Sequence, residues 1–288
     1  MITCNLMGGL GNQIFQIFAT ISYAIKIRQQ FKFNNAKILG GGSTTVRNTY
    51  WDTFFSRLKL FTTNDFPNLH VIRERGFRFN ELPIYEMINN DILIFGYFQS
   101  YKYFESNYNI ICRMIGLEIM KENLLKKMNY DFDFLTQTIS MHFRIGDYKK
   151  LQDYHPILKK EYYEKSLRYI QSNNSNTSTE GSFASNTVIY FCEDDDLEDV
   201  TEIIVYLSTI LPLLNFVRGE NKLEDWEQML LMSCCHHNII ANSSFSWWGA
   251  YFNSWKDKIV CYPSIWFGPV AKHDTRDLCP IEWKKISI

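Results

Sequence analysis

The heptapeptide HFRIGDY, residues 142–148, sets an imidazole, a guanidinium and a carboxylate within six positions, just where an apolar run ends. Arginine presents a planar fork matched to phosphate oxygens, and histidine can donate to a base or stack near it, so His142 and Arg144 could hold a nucleotide. A buried Arg144–Asp147 pair beside a satisfied histidine would use the same residues structurally, because charges are rarely buried unless paired or employed. A second cluster follows VIYFC, where Glu193, Asp194, Asp195 and Asp196 meet the solvent end of an apolar stretch. Asp194 there could receive a guanine or a ribose, while the later acids suit the positive end of a helix. Asp194 and Asp196 also spell D-x-D, a short pattern that binds a divalent ion in some nucleotide-sugar enzymes. The third cluster, NIIANSSFSWWGAYF, places Asn242, Ser243 and Ser244 ahead of a helix, as an anion site of amides and hydroxyls or as a plain N-cap.

The elements that must carry these groups are legible as alternating periods. Period-2 alternation along TISMHFRIGDY puts Ser140, His142 and Arg144 on one strand face and Met141 and Phe143 on the other, with Gly146 turning the backbone and Asp147 beyond it. Further strands are expected at Ile92–Phe95, Val188–Cys192, Asn238–Ala241 and Ile259–Tyr262, and helices near 161–171, 197–208, 224–235 and 245–254. Strand and helix in alternation define an α/β fold with largely parallel sheets. In such sheets ligands bind outside the carboxyl ends of the strands, so three polar clusters at strand ends argue for one shared site.

At the N-terminus a short strand, a turn at Gly8, Gly9 and Gly11, and a helical pattern through Ile25 make a β-turn-α unit. Ile14 stands where a dinucleotide fingerprint needs a third small residue, and no acid ends KFNNAKI, so NAD is disfavoured. GGLGNQ can still offer amides and the Asn12 side chain to a pyrophosphate, or serve as a tight turn. GGGSTT at 40–45 reads as a turn, and the polar stretch 172–187 as a surface loop. The pattern breaks near 125–137, which divides the chain into residues 1–130 and 131–288.

Lys+Arg total 30 against Asp+Glu 31, so no net field draws the chain to nucleic acid or anionic lipid, and a specific site must do the recognising. Seven cysteines without regular spacing read as reduced packing residues, and CCHH at 234–237 as a packed helix end rather than a metal site. Neither a signal peptide nor a run of about 20 apolar residues is present, so a cytoplasmic protein is expected.

Taken in order, GGLGNQIFQ, GYFQSYKYF, HFRIGDY and NIIANSSFSWWGA resemble the α1,2-fucosyltransferases of glycosyltransferase family 11 in its bacterial or viral form, over nearly the whole chain. The resemblance implies a GT-B-like fold of two Rossmann-like domains facing a cleft: an acceptor-side domain with the glycine loop, and a C-terminal domain for the GDP-sugar. It implies inverting transfer of L-fucose from GDP-β-L-fucose to a galactoside hydroxyl of a glycan, with no metal or other cofactor. A lipid-linked acceptor would add peripheral membrane contact. Arg144 would then bind the β-phosphate, and His142 and Asp194 the guanine. Gly9, Gly11, Asn12 and Gln13, together with Asn242, Ser243, Ser244 and Phe245, would hold pyrophosphate and ribose. The family often has Arg where Ile145 stands and Ser where Glu193 stands, which changes packing or a phosphate contact at the first and bears on donor identity at the second. Arg144 and Asp147 are the candidate catalytic groups, Asp147 as general base or as the orienter of Arg144. Tyr97, Phe98 or Tyr101 could stack on an acceptor sugar, or pack in the core, and His155 could serve as the base or line the acceptor cleft. Two other classes fit the residues: a metal-dependent transferase using Asp194 and Asp196, and a non-catalytic nucleotide-sugar-binding protein.

Overall fold

Three buried residues open the chain as β1 (Ile2–Cys4), and an almost uniformly buried segment follows as α1 (Leu10–Lys26). In this computed structural model residues 1–40, 45–66, 68–84, 91–173 and 186–288 are described. Most of the expected GGGSTT turn and of the loop at 172–187 lies outside them. The chain forms two compact units, Met1–Met120 with His273–Pro280, and Lys121–Lys272 with Ile281–Ile288.

In the first unit, β2 (Leu69–Arg73) and β3 (Asp91–Phe95) join β1 in a parallel sheet of order β1-β3-β2. Ile14, Phe15, Ile17, Phe18 and Ile21 of α1 are fully buried, and Phe15 and Phe18 meet Phe104 at ring-centroid distances of 5.9 and 5.6 Å. Such a helix is held by packing on most of its faces rather than by one stripe. Helix α2 (Tyr108–Ile115) ends on Gly116 at φ +74°, the left-handed cap that glycine adopts without steric cost.

Helix α3 (Leu117–Met128) contains the division between the units. Its later residues belong to the second: buried Lys121 donates to the Phe252 carbonyl at 2.6 Å, and Lys127 pairs with Glu227 at 2.7 Å. The compact units therefore divide at 120/121 where the sequence pattern placed 130/131, and His273–Pro280 returns to the first unit. Buried Ser100 and the Asp277 carbonyl, 2.6 Å apart, tie that return.

The second unit runs β4 (Thr138–His142), α4 (Lys160–Asn173), β5 (Thr187–Phe191), α5 (Leu197–Ile210), β6 (Asn215–Arg218), α6 (Asp225–Cys234), β7 (His237–Ile239), α7 (Ser244–Tyr251), β8 (Val260–Pro263) and β9 (Lys284–Ile286). Its six-stranded sheet is parallel throughout, in the order β6-β5-β4-β7-β8-β9. Counted from β4 this is 3-2-1-4-5-6, the doubly wound order of dinucleotide-binding sheets, which reverses direction between β4 and β7. The core joins Ile139, Met141 and Phe143 to Tyr162, Leu167, Val188, Val200 and Cys261. Trp247 and Trp248 are fully buried. All seven cysteines are free thiols, and Cys234 and Cys235 are buried at the end of α6. His236 bonds the Thr136 carbonyl and Asp257, each at 3.0 Å, which is the packed helix end expected of CCHH.

Candidate active site

The reversal of strand order sets the carboxyl ends of β4 and β7 side by side, and the first and third polar clusters leave the sheet there. The His142 ring lies 5.5 Å from the Phe245 ring, so the two motifs meet. His142 is 8% exposed, and its Nδ1 has no partner among the described residues. Burial, helped by the nearby Arg144 charge, pushes its pKa down to about 3, so the imidazole is neutral at physiological pH. A neutral ring can donate from one nitrogen and accept at the other, as recognition of a base requires.

Arg144 leaves the strand with its side chain 22% exposed and forms ion pairs with Glu193 and, at 2.6 Å, with Asp147. Burial alone would lower its pKa, but the carboxylates of Glu193 and Asp147 outweigh burial and hold it above the ordinary value. The guanidinium carbon lies 5.4 Å from the centre of the Tyr148 ring, whose hydroxyl donates to the Asn242 carbonyl at 3.0 Å. Arg144 is thus a fixed cation with its charge secured. Asp196 fixes the turn beneath it, since both carboxylate oxygens accept from Gly146 N, at 2.8 and 2.9 Å, in a side chain that is 2% exposed. A Cβ at Gly146 would stand 3.2 Å from Glu193 Oε2, so glycine lets that carboxylate approach.

The acidic cluster separates into different tasks. Asp194, three-quarters exposed, pairs with Arg218 at the end of β6, while Asp196 is committed to the backbone of the motif turn. The two carboxylates of D-x-D are therefore engaged with different partners. Ile145 is 4% exposed in the sheet core, so at the first departure from the family pattern the side chain packs. At the second, Glu193 brings a carboxylate onto Arg144.

In the third cluster Ser243 caps α7, its hydroxyl accepting from Phe245 N at 3.3 Å, while Ser244 and Phe245 are half-buried beside it. Asn242 has a different job: it is 1% exposed and donates to the carbonyls of Pro156 and Trp266 at 3.0 and 3.1 Å. It braces the loop from inside. His155 stacks on Tyr148 at 4.7 Å and lies 5.6 Å from Phe267, so its ring extends the packing under Arg144.

The glycine loop belongs to the first unit. Gly8, at φ +76°, is the position that demands glycine, because a Cβ would fall 2.4 Å from Asn12 Nδ2. Gly9 is the extended N-cap of α1, and Gly11 lies inside the first helical turn, so G-x-G is not itself the turn. Asn12 accepts from Gln99 Nε2 at 2.8 Å. Gln13, expected to face the donor, is fully buried and donates to the carbonyls of Gly8 and Asn48 at 3.0 and 2.8 Å, where it holds the loop instead. Phe98, expected to meet an acceptor, is also fully buried, 5.2 Å from Tyr103 in an edge-on contact. Its neighbour Tyr97 is 42% exposed.

Glu193, Asp196, Tyr148 and Arg218 were not singled out for roles at Arg144 or Asp194 from the sequence. Asp196 was visible as a helix-start acid and as half of a D-x-D pattern, and no local signal joins it to a glycine 50 residues earlier.

The description Glycosyl transferase family 11 matches residues 73–286. Two Escherichia coli proteins align along most of their length: the O-antigen biosynthesis glycosyltransferase WbnK, 28% identical over 93% of this chain and 95% of its own, and an alpha-1,2-colitosyltransferase, 26% identical over 99% of each. A family 9 glycosyl transferase from Veillonella parvula superposes with a TM-score of 0.47 at 7% identity, covering 100% of this chain and 86% of its own. With a family match spanning most of the chain, and a doubly wound sheet whose strand ends carry a fixed arginine, the chain belongs to glycosyltransferase family 11.

Proposed function

We propose that the protein is an inverting, metal-independent α1,2-fucosyltransferase that moves L-fucose from GDP-β-L-fucose to a galactoside hydroxyl of a glycan. The observation that carries the reading is Arg144, a partly buried, permanently charged fork at the strand-order reversal, beside a neutral His142 and the capped start of α7. In the transfer the acceptor oxygen attacks the anomeric carbon, the bond from that carbon to the β-phosphate oxygen breaks, and its electron pair stays on GDP. The acceptor proton passes to a base. Arg144 takes up the charge that grows on the diphosphate, exchanging its Glu193 and Asp147 contacts for phosphate oxygens; this is the preorganised electrostatic role that lowers such barriers most. Asp147, released by that exchange, is the candidate base.

The name of the colitosyltransferase relative supports an α1,2 linkage and a deoxyhexose donor, and it makes a colitosyl donor the second reading. The test incubates the protein with GDP-fucose or GDP-colitose and a panel of galactosides, with and without EDTA, and measures GDP release and product linkage. Acceptor-dependent release from GDP-fucose, an α1,2 product and indifference to EDTA are expected. Preference for GDP-colitose would replace the donor. Loss of activity in EDTA would restore the metal-dependent reading, and GDP binding without turnover would leave a binding protein.

A further inference from the structure

We propose that a cavity in the first unit binds an acidic glycan acceptor, one that sets a carboxylate or phosphate against Arg47. The inference rests on the transferase reading above, and it adds the chemical class of the acceptor.

The cavity measures about 680 Å³ and is lined by, among others, Thr3, Asn5, Asn34, Arg47, Leu93 and Tyr97. Thr3 and Leu93 are paired neighbours on β1 and β3, so the floor is a face of the three-stranded sheet. The volume falls in the range of small-ligand sites, roughly 300–1,000 Å³. Its chemistry suits a sugar: the exposed Tyr97 ring offers a flat surface, and the Asn5 and Asn34 carboxamides match hydroxyls that both donate and accept. Among the described residues Arg47 is the sole charged side chain in the lining, and it has no ion pair there. A lone guanidinium in a site without a carboxylate selects for an anion, through charge-assisted hydrogen bonds.

The walls are built rather than incidental. Arg47 pairs antiparallel with Leu39, Thr49 Oγ1 donates to the Ala36 carbonyl at 2.8 Å, and buried Gln13 binds the Asn48 carbonyl to the Gly8 turn. On the Tyr97 side, Glu74 accepts from Tyr97 N and Phe98 N at 2.8 and 3.0 Å. Gln16 receives Met7 N at 2.9 Å and donates to the Gly96 carbonyl at 3.2 Å. Phe98 is held at φ +52°, a left-handed conformation that costs a non-glycine residue energy and recurs where a structure positions a functional neighbour. Arg47 and Tyr97 both start from braced backbone, so the ordering left to binding is that of their exposed side chains.

The test uses three matched galactosides: one neutral, one bearing a uronic carboxylate and one bearing a phosphate. Each is measured as acceptor with GDP-fucose, and each is titrated by calorimetry against the full chain without donor. For the wild type, KM and Kd for at least one acidic form are expected to be tenfold or more below those of the neutral form, and the favoured arm tells carboxylate from phosphate. Arg47→Ala should reduce that ratio to within twofold of unity, Arg47→Lys should keep part of it, and Tyr97→Ala should raise KM for all three. Equal affinity for neutral and acidic glycans in the wild type, or a preference that survives Arg47→Ala in a variant with unchanged thermal midpoint, would overturn the proposal. GDP-fucose binding is measured on the same samples. Its absence alongside selective binding of the acidic glycan would overturn the donor reading and leave this site standing.

Discussion

Arg144 lies beside two carboxylates and an aromatic ring, and each neighbour bears on what its replacement should do. On the proposed mechanism Arg144→Ala removes the fixed charge that would face the leaving diphosphate, and loss of one such contact costs about 10²–10³ in rate. The expected outcome is a kcat lower by at least that factor, with near-native circular dichroism. A variant that keeps wild-type kcat would remove Arg144 from the mechanism. The side-chain chemistry of HFRIGDY and its place at a strand end were legible because residue type and alternation are local properties. Gln13 and Phe98 were misjudged for the same reason: a side chain's type is readable from sequence, but its burial depends on what packs over it. Both are fully buried.

At the scale of elements, the turn after β4 is held by a residue from the start of α5. Asp196 spends both carboxylate oxygens on Gly146 N, and a hydrogen bond to a charged group of this kind is worth about 1.5–3 kcal/mol. Asp196→Ala should lower unfolding free energy by about that amount and reduce kcat more than donor affinity, since it loosens the base of Arg144 without touching the nucleotide. Denaturant melts and steady-state kinetics on one sample separate the two effects. The glycine turn gives a second case. Gly8→Ala places a Cβ 2.4 Å from Asn12 Nδ2 at a positive φ, and the backbone conformation alone costs about 1–2 kcal/mol, which a thermal melt would register as a lowered midpoint. Helices α4 to α7 and strands β4, β5, β7 and β8 lie within a few residues of where the sequence placed them, whereas α2 and α3 were not expected. Among the strands of the two main sheets, β2, β6 and β9 were missed: β6 and β9 are short sheet-edge segments with charged residues, and Leu69–Arg73 is mostly exposed.

For the whole molecule, stability ties to pH through histidines in different parts of the second unit. Burial pushes both His142 and His237 down to about 3, with Arg144 and His236 respectively adding to the effect. The unfolded chain therefore takes up these protons first. Their stabilisation is complete above about pH 6.5 and falls as pH drops from there toward 3, by about 1.4 kcal/mol per pH unit for each histidine. Denaturant melts at pH 7, 6 and 5 should show that decline, and His142→Gln should remove about half of the histidine contribution to the slope. An unchanged slope would mean that His142 is protonated in the folded state.

By itself the sequence determined the α/β alternation, the placement of three polar clusters at strand ends, and a family resemblance that the match over residues 73–286 bears out. These are carried by local periodicity and residue chemistry. Only the tertiary structure decided the order 3-2-1-4-5-6, and with it that His142 meets Phe245 from a motif a hundred residues away. It also decided that Glu193 and Asp196 attend Arg144 and Gly146, and that a cavity with a lone arginine lies on the first sheet. Parallel pairing joins strands through long crossovers, and no local period states which strand comes to lie beside which.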